Sequence, residues 1–371
     1  MHLENSQSFL SLVRLGIGHQ ASSVKIEDWG SIKALADEQG LSAVILDGLN
    51  TDSSTNSEQV STNLANTMPL QMKLEWIGEV LQNYEQRFAS YKNAIGSLAG
   101  FYNKHGYKMM VLKGYACCMD WPKPEHRPCG DIDIWLFGQQ DAADKELATR
   151  YKAQNPSFII DNSRHHHTVF EWKGFTVENH YDFVNVHYSQ SNSDIENIFK
   201  KLGEDDSYNV EVNGEKVYFP SPNLHALFLL RHAMVEFASS GITLRNIIDW
   251  AFFVKSHGKE VDWEWLTDVL EEYGMDQLYY VFNSICVEDL GFNVNMFSNK
   301  QVKPFLKDKV LGELLIPAIP NKKPQGLFQR IIWKYDRWMA NEWKRELVYK
   351  ESSESIFWSG IWHHLMKPKS I

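Results

Sequence analysis

Two aspartates, Asp131 and Asp133, stand two residues apart in the run Gly130-Asp131-Ile132-Asp133-Ile134-Trp135. On a strand, side chains at i and i+2 share a face, so both carboxylates point together while Ile132 and Ile134 turn the opposite way into a core. Like charges that close repel unless a cation or a shared proton relieves them. Hard oxygen ligands suit Mg²⁺ or Mn²⁺, and such ions clamp the attacking and leaving oxygens of an in-line phosphoryl displacement. A third carboxylate normally completes a site of this kind.

Upstream, Met109-Met110-Val111-Leu112 is a short apolar run that stops at Lys113-Gly114. It reads as a buried strand entering a turn, with a short helix over 115–120 behind it. A glycine at such a turn lets backbone N–H groups approach a phosphate, and a helix N-terminus adds partial positive charge. Lys113, and Arg127 just ahead of the aspartates, are placed to neutralise triphosphate oxygens, the arginine by a two-pronged contact. Downstream, His165-His166-His167 admits a zinc reading in which residues 165 and 167 alternate onto one face and His180 joins them. Packing on a strand with hydrogen bonds to neighbours is the plainer reading of the same cluster. No G-x-S-x-G and no P-loop occurs.

The elements that must hold these residues fall into an α+β class: a small mixed sheet between two helical flanks. Residues 1–105 read as helical. Ile32, Leu35 and Ala36 share a face that Gly40 ends, the polar segment 50–66 is a surface loop, and apolar residues at steps of three and four make a long helix over 70–104. Residues 106–220 carry the sheet. Strands are expected over 109–112, 132–137, 166–172, 175–180 and 208–212, a helix over 141–153, and a hairpin turn at Gly174. Residues 221–371 return to helices, opening on Ser221-Pro222 as cap and first turn and closing on one helix over 327–349. In that last helix Trp333, Trp338 and Trp343 rotate around the axis, so core packing with a solvated basic face is expected rather than an RNA or membrane surface. Arg245 and Asp249, one helical turn apart, are expected to pair with each other.

The formal net charge of −10 repels phosphate backbones, which argues against a stable nucleic-acid complex but leaves room for a local basic pocket. Thirteen tryptophans supply ample material for a large interior. Four cysteines without a C-x-x-C pair read as reduced thiols, no signal peptide is visible, and no apolar run is long enough to span a bilayer. A cytoplasmic protein without a membrane partner is expected.

A strand ending in Lys113-Gly114, followed by Arg127 and Gly130-Asp131-Ile132-Asp133-Ile134, resembles the polymerase-beta-like nucleotidyltransferase superfamily. It resembles most closely that superfamily's uncharacterised bacterial branch, in which a histidine-rich strand precedes a v-E-x-H strand. His165-His166-His167-Thr168-Val169-Phe170 and Val177-Glu178-Asn179-His180 match that pattern. The resemblance covers roughly residues 10–270, with its specific motifs within 112–180. It implies that the middle region is a nucleotidyltransferase core and that Asp131 and Asp133 bind metal, with Glu178 as the third carboxylate and Asp182 its rival. It also groups His180 with Lys113, Gly114 and Arg127 beside the nucleotide. The partners implied are a nucleoside triphosphate and an unidentified hydroxyl acceptor, which is a small molecule, sugar or protein. The sequence departs from the pattern at the turn, where Lys113-Gly114-Tyr115 stands in place of Gly-Ser. The alternative this raises is a catalytically inactive descendant that serves as a nucleotide-binding or scaffolding module.

Overall fold

The computed structural model describes residues 3–21, 25–49, 66–153, 155–187, 189–205, 207–298, 300, 302–319 and 324–366. The segment 50–66 expected as a surface loop lies, except for its last residue, outside them. Strands β1 (Met110–Val111), β2 (Ile132–Trp135), β3 (His167–Trp172), β4 (Phe175–His180), β5 (Ser207–Val212) and β6 (Glu215–Pro220) form one sheet in the order β3-β4-β2-β1-β6-β5. β2 lies parallel to β4 and antiparallel to β1, while β1 runs parallel to β6. The β2–β4 register sets Asp133 directly opposite Glu178, and that pairing builds the site.

Both edge pairs are hairpins closed by two residues of positive φ, Lys173-Gly174 (49° and 83°) and Asn213-Gly214 (51° and 82°). That combination is the mirror-image turn matching the right-handed twist of paired strands, and glycine supplies it without steric cost. The expected fold class holds, with two additions. Strand β6 pairs with the edge strand β5 and is signalled by the Asn213-Gly214 turn. A helix over Gln190–Asp205 carries its apolar spacing in Ile195, Ile198, Phe199 and Leu202.

The sheet separates two apolar clusters. Ile132 and Ile134 face the smaller, with Val111, Val177 and the helices Arg87–Lys104 and Gln140–Lys152. Met110, Leu112 and Trp135 face the larger, with Phe199 and the helix Pro222–Ser239. The larger cluster also takes in Phe9, Ile32 and Ile45 from the N-terminal helices together with Leu266, Leu314 and Val348 far downstream. Gln39, fully buried, ties these ends by donating to the Leu314 carbonyl (2.9 Å) and accepting from Leu244 N–H (2.7 Å). Gross burial on both faces of the sheet is the main stabilising term.

The expected final helix over 327–349 is broken. It runs Leu327–Ala340 and resumes as a short turn, Glu342–Arg345. Asn341 between them is buried, and its side-chain amide donates to the Ser239 carbonyl (3.1 Å), which pins the break against the end of Pro222–Ser239. No helix among the described residues is long and apolar enough to cross a membrane.

Glu196 fixes the loop that leaves β4. Its Oε2 accepts from the amides of Phe183 (2.8 Å) and Val184 (3.0 Å), and burial pushes its carboxyl up to about 7. A folded pKa above the unfolded value near 4.5 means that stability is complete below that pH and falls as pH rises toward 7. Glu196→Gln, which keeps an oxygen for both amides, should flatten this slope and gain about 2 kcal/mol at pH 8. Urea unfolding at pH 4.5 and pH 8 checks it: equal pH dependence in both proteins would count against the assignment.

Candidate active site

The site begins where the chain enters β2. Tyr91, on the helix Arg87–Lys104, donates its hydroxyl to the Asp131 carbonyl (2.7 Å), and Arg87 donates to the Cys129 carbonyl (2.9 Å). Gly114 packs against the same point. Its φ of 61° with ψ of −99° lies outside the wells open to other residues, and a Cβ there would meet the Tyr91 hydroxyl at 2.5 Å. Gly114→Ala should therefore cost about 3 kcal/mol through backbone strain and displacement of Tyr91, read as a lowered unfolding midpoint. An unchanged midpoint would show that the turn relaxes freely.

Asp133 lies in the floor of the site, 2% exposed. Lys113 Nζ stands 3.2 Å and His180 Nε2 3.3 Å from its Oδ1. Burial alone would raise its pKa, but the charge of Lys113 and the His180 hydrogen bond hold the carboxyl well below the usual range. Lys113 in turn stays protonated, because Asp133, Glu236 and Glu178 outweigh the burial that would lower its pKa. It also contacts His232 Nε2, whose pKa is lowered by burial and by Lys113.

Glu178 sits across the sheet with Oε1 3.7 Å from His167 Nε2 and Oε2 3.8 Å from His180 Nε2, both beyond hydrogen-bond reach. Burial and the charge of Asp133 push its carboxyl up to about 7. Asp133, Glu178 and His180 offer ligand atoms all within 4.8 Å of one another. Asp131 stays outside this tight set. It precedes β2 and is exposed, and burial together with the charge of Asp133 raises its pKa. The rival carboxylate, Asp182, pairs with Lys200 at 2.5 Å.

A cavity of about 660 Å³ opens beside these groups, with Lys113, Glu178, His180 and His232 in its wall. Asp131 and Asp133 are not among its lining residues, and Asp133 is reached through its contacts with Lys113 and His180. Lys113, Arg164, Lys334, Arg337 and Arg345 line it against only two carboxylates, Glu178 and Glu236. A local basic chamber thus exists inside an acidic protein, and a concave wall dominated by one sign of charge focuses its field. Sequence reasoning missed its far wall. Lys334, Arg337 and Trp338 come from the helix expected to be core with a solvated face, and Asn341 and Arg345 follow it. The signal was present in the basic residues interleaved with tryptophans, and their placement rests on a distant contact, Arg337 Nε donating to the Ser239 carbonyl at 2.9 Å.

Arg127 requires correction. It is buried, and its Nε and one terminal nitrogen grip Asp249 at 2.7 and 2.9 Å while Trp121 Nε1 also donates to Asp249. The guanidinium fork is occupied in the interior and does not line the cavity. The same contacts correct the expected Arg245–Asp249 pair: the partner of Asp249 is Arg127. Gly114 is corrected too, being buried against Tyr91 and absent from the cavity wall, so its lack of a side chain serves packing rather than phosphate approach. Lys113, His180 and Glu178 do line the chamber. The zinc trio changes membership. β3 begins at His167, so strand alternation does not govern His165 and His166, and the imidazoles that converge are those of His166, His167 and His180.

Over residues 25–291 the chain matches the model of the family described as uncharacterised nucleotidyltransferase. That is most of its length, and the protein belongs to this family. Among curated proteins none matches. A solved structure, an antigenic nucleotidyltransferase-like protein from Paracoccidioides brasiliensis, is similar at 18% identity over 44% of this chain and 75% of that one, with a TM-score of 0.32.

Proposed function

We propose that the protein transfers a nucleoside monophosphate from a nucleoside triphosphate to a hydroxyl acceptor, with Asp133 and Glu178 as the central carboxylates. The observation that carries this reading is their direct pairing on adjacent parallel strands beneath a basic chamber, in a member of a nucleotidyltransferase family. The donor set suits a divalent cation. Asp133 is anionic, neither Glu178 oxygen is hydrogen-bonded to its flanking imidazoles, and the Nδ1 atoms of His166 and His167 are buried without partners among the described residues. Asp133 and Glu178 would hold Mg²⁺ or Mn²⁺, with Asp131 two residues before Asp133 as a further carboxylate outside the converging set, and the ion would supply charge stabilisation at the phosphoryl oxygens.

The chain's own residues do the rest. Lys113 keeps Asp133 ionised, and the basic wall neutralises the triphosphate and orients it. The acceptor oxygen bonds to the α-phosphorus as the bond to the bridging oxygen breaks, and pyrophosphate leaves with that electron pair. A Glu178 oxygen takes the acceptor proton. Calorimetric titration with each of the four nucleoside triphosphates, with Mg²⁺ and with Mn²⁺, tests the first step. Saturable binding that Lys113→Met weakens is expected, and failure of all four to bind overturns the reading.

One observation favours the inactive alternative. Gly114 is turned away from the chamber, so the turn after β1 offers no glycine-lined phosphate cradle. If nucleotide binds but label never reaches any acceptor in cell extract, a binding module is the better description.

A further inference from the structure

Beside the two carboxylates, the structure gathers an all-nitrogen donor set in which His180 also hydrogen-bonds Asp133 (3.3 Å), while His166 and His167 have no part in the proposed transfer. His166, at the end of the loop entering β3, His167, the first residue of β3, and His180, the last residue of β4, each offer a nitrogen within 4.8 Å of the other two. Their rings crowd together, with centroids 4.3 Å apart for His166 and His167, 5.5 Å for His166 and His180, and 5.1 Å for His167 and His180. Register fixes two of the three, since His167 pairs directly with His180 across the β3–β4 ladder. The amides of Tyr181 and Asp182 hold the third by donating to the His166 carbonyl, each at 3.1 Å.

Stacking three imidazoles in a protein interior leaves polar atoms to satisfy. The Nδ1 atoms of His166 and His167 are buried with no hydrogen-bond partner among the described residues. Orphaned nitrogens of this kind are costly unless something occupies them. The cluster is not a closed interior knot, because all three residues line the chamber.

We infer that His166, His167 and His180 form a binding site for a borderline transition-metal ion of the Zn²⁺ class, with a coordination position left open toward the chamber. Three imidazoles suit Zn²⁺, Co²⁺ or Ni²⁺ and suit Mg²⁺ poorly, because nitrogen donors favour softer ions than carboxylate oxygens do. Three protein ligands with an open fourth position is the arrangement that admits water or a ligand oxygen. Glu178, 3.7 Å from His167 and 3.8 Å from His180, supplies negative charge alongside. Two metal preferences then meet at His180, which belongs to both sets: oxygen donors from Asp133 and Glu178, and nitrogen donors from His166 and His167. The nitrogen site does not depend on whether the chain turns over nucleotide.

The test uses untagged full-length protein, stripped with chelator and free of nucleotide. Competition against a chromophoric chelator should show about one tight Zn²⁺ per chain, and Co²⁺ should give the visible absorption of a four-coordinate, nitrogen-ligated ion. His166→Ala and His167→Gln should each weaken Zn²⁺ binding by at least about 100-fold. His257→Ala, remote from the cluster beside Asp120 (3.0 Å), should leave it intact. Thermal unfolding without metal shows that each variant is folded. Absence of tight Zn²⁺ in the wild-type protein, or binding that survives His166→Ala, overturns the site. Titration of the same stripped protein with nucleoside triphosphate and Mg²⁺ reads the nucleotide proposal separately, so either can fail alone.

Discussion

Asp133→Asn should reduce nucleotidyl transfer by at least about 10³-fold while leaving a folded protein, with the loss falling on the chemical step more than on binding. The asparagine matches the carboxylate in size and fills the same buried place, so packing changes little. What it removes is the anion on which Lys113 and His180 converge. Lys113 then has Glu236 and Glu178 to answer its charge, and the site loses its one carboxylate held firmly ionised. Single-turnover transfer of labelled nucleotide, with melting as the control, measures the effect. A variant with transfer within a few-fold of wild type would place the chemistry elsewhere.

The largest stability effect is expected from Asp249→Asn. Arg127 and Asp249 are both buried, and Trp121 Nε1 shares the carboxylate at 2.9 Å. Removing the negative charge leaves a buried guanidinium facing a neutral amide oxygen and, among the described residues, the Pro128 carbonyl (3.3 Å) and the Cys118 sulfur (3.9 Å). Breaking such a pair from one side costs about 3 to 5 kcal/mol, because the surviving charge keeps its desolvation penalty without compensation. Arg127→Met with Asp249→Leu should be far milder, since replacing both partners removes both penalties. Urea unfolding of the single and double variants checks this. A single variant no less stable than the double one would mean that water reaches the arginine.

Local signals made the sheet legible and contact-dependent ones were not. The run at 132–137, the Gly174 turn and the apolar stop at Lys113 each encode a strand or its end within a few residues, and each is found, although the strand ends at Trp135 because Phe137 and Gly138 turn into positive φ. The Asp133–Glu178 pairing needs the β2–β4 register, which no local window contains, and it was reached through resemblance to a known motif. Arg127 shows the opposite failure. A basic residue just ahead of two aspartates reads as a phosphate ligand, yet its partner, Asp249, lies 122 residues away, and burial decides the matter. The histidines were read by strand alternation, which starts to apply only at His167. The basic far wall depends on a contact between distant helices, in which Arg337 and Asn341 both donate to the Ser239 carbonyl.

The family match ends at residue 291, yet the chamber does not. Lys334, Arg337, Trp338, Asn341, Arg345, Tyr349 and Ile356 all stand in its wall, and the fully buried Arg231 donates to the Val348 carbonyl at 2.9 Å. A fragment cut after residue 291 would therefore lose one side of the chamber wall, and Arg231 would lose one of its acceptors while keeping Asn192. Among proteins that share only the matched stretch, this part of the wall is free to differ without disturbing the strands that pair Asp133 with Glu178.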